Sequence, residues 1–286
     1  MTSRSLPASR SLAAVRYIEV ETSRYCNRTC SWCPNGHTRA RTRQELLPWK
    51  LFEKITGELG ELGYGGFFAF HNYNEPLANA RLLDEVSHLR ATVPTAKPAI
   101  YTNGDRLGRE MFEELTSVGV SYLRVTRYPQ QADTQPTVEA LQHYLRIKNL
   151  THLPWRIGEV RQGLAASYKD RATGMKAEVI VPNIYTYNDR GGTAEVPIRG
   201  SRVAPCRMTA TSISVTYRGE VKMCCNVVPE GSQHQEYVVG NIRHATLAEL
   251  YGSPQMTGWR KRHASADWAA SPACATCVQA LPETRK

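Results

Sequence analysis

Apolar and polar positions along roughly the first 200 residues switch repeatedly between a period of two and a period near 3.6. Residues 15–21 alternate, which predicts a strand, while Leu51, Ile55, Leu59 and Leu62 share one face of a helix over 49–62. A short apolar strand is expected from Gly66 to Asn72, then a helix over 79–92 with Leu82, Leu83, Val86 and Leu89 inward. Strands follow at 98–102, 121–127, 154–159 and 177–184, with helices over 108–118 and 137–148. Strands alternating with helices predict β/α units around a parallel sheet. In such barrels, full or partial, chemistry gathers at the carboxyl ends of the strands.

From about residue 200 the texture changes. Residues 211–217 and 220–225 alternate on either side of Arg218-Gly219, a hairpin signal. A strand over 237–242 and helices over 246–251 and 254–263 complete the chain before a final C-x2-C at Cys274 and Cys277. The expected division is a tail over 1–14, an α/β barrel over 15–200 and a small α+β domain over 201–286.

The 286 residues suffice for a sizeable core, and 41% hydrophobic with 22% charged residues is ordinary for a globular protein. No apolar run is long enough to span a bilayer, and Met1–Ser11 lacks a signal-peptide core, so no membrane and a cytoplasmic location are expected. The net charge of +10 permits acidic partners, but the basic residues form no stripe, so nucleic acid is not expected.

All eight cysteines fall in two groups. Cys26, Cys30 and Cys33 follow the first strand as C-x3-C-x2-C, and three thiolates can hold one soft metal centre while leaving a corner free. A zinc site completed by His37 is the alternative. Cys206, Cys224, Cys274 and Cys277 could fully ligate a second cluster or a zinc ion. Cys225 is left over: on a strand it would point away from Cys224, either as core filler or as a hydrogen-atom donor.

The first loop, with Trp32 before its last cysteine, resembles the signature of the radical S-adenosylmethionine (SAM) superfamily. The resemblance implies a partial (β/α)6 TIM-like barrel and a [4Fe–4S] cluster on Cys26, Cys30 and Cys33 whose fourth iron chelates SAM, with Trp32 beside the adenine. It extends to Asn72-Tyr73-Asn74-Glu75-Pro76, where Glu75 matches the acid that holds the SAM amino group and Asn74 stands where glycine is commoner. By the same resemblance Thr102 and Asn103 approach the SAM ribose, and Arg127 could reach its carboxylate. The second group resembles the "twitch" form of the SPASM module, which implies an auxiliary [4Fe–4S] cluster. Ile18 to Glu21, the Arg190-Gly191-Gly192 loop and Cys206 to Cys225 resemble the superfamily's aminocyclitol dehydrogenases of antibiotic biosynthesis. Arg190 and Tyr73 match their substrate contacts, while Asn226 replaces a substrate-contacting acid and this chain carries additional residues between about 130 and 175.

The resemblance implies a small-molecule substrate, a sugar or aminocyclitol, oxidised to a ketone with a flavodoxin or ferredoxin as reductant. Epimerisation through Cys225 is an alternative outcome, as is crosslinking of a peptide. Crosslinking is less expected because a strand starting near residue 15 leaves no room ahead of it for a peptide-recognition domain. A zinc-containing nucleic-acid-binding module is the non-enzyme alternative.

Overall fold

A computed structural model describes residues 12–36, 45–128, 137–160, 163–182, 187–196 and 200–277. Its described strands form one ten-stranded sheet in the order β10-β9-β8-β1-β2-β3-β4-β7-β6-β5. They are β1 (Tyr17–Val20), β2 (Phe67–Ala69), β3 (Lys97–Thr102), β4 (Tyr122–Thr126), β5 (Arg156–Val160), β6 (Gly163–Lys169), β7 (Lys176–Pro182), β8 (Ser212–Val215), β9 (Glu220–Lys222) and β10 (Val238–Asn241). From β8 through β1, β2, β3 and β4 to β7 every neighbouring pair is parallel. The helices Trp49–Glu61, Leu82–Thr92 and Arg109–Ser117 fill the crossovers between β1 and β4, as the apolar periods predict.

Helical spacing explains the core. Phe52, Ile55 and Leu59 on one helix face pack with Phe68 and Phe70 of the neighbouring strand region, all essentially without exposure. On β1 the even positions Ile18 and Val20 are fully buried in this apolar layer. Tyr17, Glu19 and Glu21 take the opposite face, because successive strand side chains alternate.

Two expectations are corrected. Residues 156–182 do not continue the β/α alternation: β5, β6 and β7 form an antiparallel ribbon, and β6 was not foreseen. Its Gly163-Leu164-Ala165-Ala166 start has no strong strand signature, and pairing to both neighbours overrides weak propensity. The second hairpin arm also stops early, at Lys222, so Cys224 and Cys225 lie in the turn that follows.

The sheet runs across the expected boundary near residue 200, since β8 pairs with β1 from Tyr17↔Ser212 to Val20↔Val215. A polar clasp reinforces that join. Glu58 accepts the backbone N–H groups of Leu247 and Ala248, both at 2.8 Å, at the start of the helix Leu247–Gly252. Thr246 and Glu249 close a capping box at the same terminus. Among the described residues no helix is long and apolar enough to cross a membrane.

Replacing Glu58 by Ala leaves two helix-terminal N–H groups without their carboxylate. The expected loss is about 1–2 kcal/mol, read as a lower urea midpoint at unchanged slope. A midpoint equal to wild type would show that the clasp does not hold the two parts together.

Candidate active site

The carboxyl ends of β1, β2 and β3 deliver three loops to one place. After β1 comes the cysteine loop, folded on itself by Cys33 N–H to Cys30 O (3.0 Å) and Gly36 N–H to Cys33 O (2.9 Å). The three thiols sense one another. Burial first, then the neighbouring Cys33, holds the Cys30 thiol up at about 12. Burial likewise raises Cys26 to about 11, with Glu75 and Cys33 adding to it. Thiols this reluctant to ionise alone become good ligands only when a cation shares their charge.

Glu75, 2% exposed, sits where the loop after β2 meets the end of β3. Its carboxylate accepts from Leu77 N–H (3.0 Å), Asn103 N–H (2.7 Å) and the Thr102 hydroxyl. Burial is the main reason its acidity is weakened, and the bonds from Thr102, Asn103 and Leu77 oppose it. Asn103 Nδ2 then donates to Asn27 Oδ1 (2.8 Å), and Asn27 and Arg28 both reach Asp105, which ties the cysteine loop to the loop after β3. Asn35 donates to the Tyr73 carbonyl.

Asn74 spends its side chain closing its own loop, accepting from Asn72 N–H (3.0 Å) and donating to Phe70 O (3.1 Å). Trp32 packs against Tyr128, ring centroids 5.8 Å apart, and its buried indole N–H finds no partner among the described residues. Arg127 at the end of β4 donates to the Tyr128 carbonyl (3.2 Å). His37, the proposed zinc partner, lies outside the described residues.

A second polar set fills the barrel face beside this loop cluster. Arg190 donates to Asn226 Oδ1 (2.5 Å), with its guanidinium 5.9 Å from the Tyr73 ring centre. Its backbone is left-handed at φ 54°, a conformation that costs a non-glycine residue roughly 1–2 kcal/mol. Gly191, at φ 67°, leaves no room for a side chain: a Cβ there would lie 2.8 Å from that of Ala273. The Arg190-Gly191-Gly192 loop is therefore tight, and it presses against the segment carrying the last cysteines.

Tyr73 OH donates to the Cys225 carbonyl (2.8 Å), and buried Lys222 donates to Asn72 Oδ1 and Val227 O, both at 2.7 Å. Glu19, on β1, accepts from Asn72 Nδ2 (3.2 Å) and lies 4.0 Å from His71 Nε2. Burial raises the Glu19 carboxyl to about 7, outweighing nearby Lys222 and Arg190. Sequence reasoning placed Glu19 in the first strand and in the run Ile18 to Glu21 that carries the resemblance, gave it no role of its own, and missed Lys222. Charged residues at inward positions of barrel strands were the available signal, since burying them is costly unless they are used.

Cys206, Cys224, Cys274 and Cys277 line one cavity together with Arg202, His263 and Trp268. Cys277 Sγ accepts from Asn188 Nδ2 (2.9 Å) and, at longer range, from Asn226 Nδ2 (3.6 Å) and Arg202 Nη1 (3.8 Å). Burial, Cys277 and Cys206 hold the Cys274 thiol up at about 12. Cys225 lies outside this lining, although its sulfur is only 4.0 Å from that of Cys224. The expected opposite orientation on a strand gives way to adjacent positions in a turn.

The donor chemistry fits two clusters of the [4Fe–4S] kind, one with three thiolates and an open corner, one with four.

Comparison with known proteins agrees with this donor pattern. Residues 20–126 match the radical SAM superfamily, and residues 206–278 match SPASM, an iron–sulfur cluster-binding domain. Over 270 residues, 94% of this chain and 95% of the relative, the chain is 26% identical to the S-adenosyl-L-methionine-dependent 2-deoxy-scyllo-inosamine dehydrogenase of Niallia circulans. The crystal structure of BtrN in complex with AdoMet and 2-DOIA superposes with a TM-score of 0.70 at 25% identity, over 92% of each chain. Native anSMEcpe with bound AdoMet, 14% identical over 86% of this chain and 83% of its own, shares the fold with a TM-score of 0.52.

A carboxyl raised to about 7 in the fold gives a stabilisation that is full below the ordinary carboxylate range and lost as pH rises through about 7. Wild type should therefore lose stability relative to Glu19→Gln between pH 5 and pH 8, by on the order of 3 kcal/mol. Denaturation curves at the two pH values check this, and a pH-independent difference would contradict the assigned environment of Glu19.

Proposed function

We propose, from the premise that the chain carries a radical SAM domain and a C-terminal SPASM domain, that it oxidises a secondary alcohol of an aminocyclitol or sugar to a ketone. The observation that carries this reading is the juxtaposition of two cysteine sets across one polar barrel face, with Arg190 and Tyr73 between them. When bound, SAM on the first cluster supplies a 5′-deoxyadenosyl radical that takes a hydrogen atom from carbon, and the second cluster supplies a one-electron acceptor.

The chain's own residues bind, orient and move a proton. Cys26, Cys30 and Cys33 hold the first cluster, and Cys206, Cys224, Cys274 and Cys277 the second. Glu75 and Asn74 would hold the SAM amino group, Thr102 and Asn103 the ribose, Trp32 the adenine and Arg127 the carboxylate. Arg190 and Tyr73 orient the substrate hydroxyl. A guanidinium does not give up its proton in a protein, so Arg190 stabilises developing negative charge and cannot be the base. Glu19, electrostatically coupled to Arg190 and raised towards neutrality, is the acceptor of the hydroxyl proton. The division into a tail (1–14), a barrel (15–200) and a cluster domain (201–286) belongs to the same reading, as does a flavodoxin or ferredoxin reductant.

The 26%-identical relative is named for 2-deoxy-scyllo-inosamine, which makes that compound the first substrate to test. Anaerobic protein with SAM, dithionite and this alcohol deuterated at the reacting carbon should form ketone and deuterated 5′-deoxyadenosine. Undeuterated 5′-deoxyadenosine without ketone would remove this substrate. Cys30→Ala should yield no 5′-deoxyadenosine, and normal SAM cleavage by that variant would sink the reading as a whole.

A second reading, epimerisation, rests on Cys225: its buried thiol feels both Glu19 and Arg190. It predicts that product formed in heavy water gains deuterium at carbon and that Cys225→Ala stalls after hydrogen abstraction. The dehydrogenase reading predicts no such gain and a working Cys225→Ala variant.

A further inference from the structure

The Arg190 loop and the second cysteine set are joined by a short run of hydrogen bonds that no part of the reading above uses. Arg190 Nη1 donates to Asn226 Oδ1 (2.5 Å), and Asn226 Nδ2 donates to Cys277 Sγ (3.6 Å). Asn226 is 5% exposed and Cys277 9%. A side-chain amide is suited to this place because it accepts at one end and donates at the other. A carboxylate would also accept from Arg190 but would set a second negative charge against a thiolate, and a hydrocarbon would satisfy neither group.

Cys277 is also the sulfur that gathers donors. Asn188 Nδ2 at 2.9 Å and Arg202 Nη1 at 3.8 Å reach it besides Asn226. N–H groups aimed at a cluster sulfur favour the reduced, more negative cluster and raise its potential. These donors stabilise an added electron at the corner tied to Arg190.

We propose that Asn226 is a positioning residue that couples the substrate-binding arginine to the Cys277 corner of the auxiliary cluster. The proposal rests on the dehydrogenase reading. After a hydrogen atom has left the alcohol carbon, forming the C=O bond releases one proton and one electron from the substrate. The proton passes to the Glu19 carboxylate. The electron would go to the oxidised auxiliary cluster that Cys206, Cys224, Cys274 and Cys277 would hold, the one-electron oxidant of the step. Asn226 serves that transfer by fixing Arg190 and by stabilising the acceptor.

The test compares Asn226→Ala and Arg202→Gln in reconstituted protein, with two readouts. One is the midpoint potential of the auxiliary cluster by redox titration; the other is the dissociation constant of 2-deoxy-scyllo-inosamine. Arg202→Gln, at a further donor to Cys277 Sγ, should lower the potential and leave the dissociation constant unchanged. Asn226→Ala should lower the potential and also weaken substrate binding several-fold, because Arg190 is released. It should further raise the ratio of 5′-deoxyadenosine to ketone several-fold. An Asn226→Ala protein that moves only one of the two readouts, or neither, would overturn the coupling. Wild type holding a single cluster would overturn the dehydrogenase reading and this link with it. Wild type that holds both clusters but does not bind the probe would overturn the substrate assignment and, with it, the coupling of the auxiliary cluster to a substrate-binding Arg190.

Discussion

A carboxylate removed from water is tolerated only where hydrogen bonds replace its hydration, and Glu75 meets that demand with groups from two different loops. Leu77 N–H lies in its own loop, while the Thr102 hydroxyl and Asn103 N–H lie at the end of β3. Asn103 then passes the constraint to Asn27 in the cysteine loop, where Asp105 adds a second tie. Three loops that would otherwise move separately are fixed relative to one another by this one buried charge. The geometry of the thiol loop and of the pocket beside it depends on that network more than on any single apolar contact.

The rest of the barrel face follows the same logic of charge placed under constraint. Inward-facing Glu19 and Lys222 remain buried because they answer one another electrostatically and are hydrogen-bonded by Asn72. Arg190 adopts an unfavourable left-handed backbone, and the neighbouring glycine lets its loop approach the C-terminal cysteines. Strain of this kind persists only where the surroundings impose it, and it concentrates at functional positions. The polar face joins the first cysteine loop to the second cysteine set through residues of both halves of the chain.

Much of this was legible in the sequence. Apolar periodicity located the helices at Trp49–Glu61, Leu82–Thr92 and Arg109–Ser117 and the strands between them, because a face buried against a sheet must repeat with the element's own period. Cysteine spacing divided the thiols into two sets, and the structure brings Cys206, Cys224, Cys274 and Cys277 of the second to one cavity. What remained hidden depends on long-range pairing. Strand β6 exists because β5 and β7 supply partners on both sides, and no local signal encodes that. The turn at Cys224 and Cys225 was read as strand because alternation alone does not mark where ladder bonds stop. Glu19 appeared as one letter in a strand pattern, and its role emerges only when β8, β9 and the Arg190 loop fold over it.

The iron, sulfide and zinc content of protein purified and reconstituted without oxygen tests the central claim most directly. Two [4Fe–4S] clusters require about eight irons and about eight sulfides per chain, with no zinc. About four irons would leave the first cluster in place and contradict the two-cluster mechanism by removing the electron acceptor. Zinc without iron would contradict the account altogether.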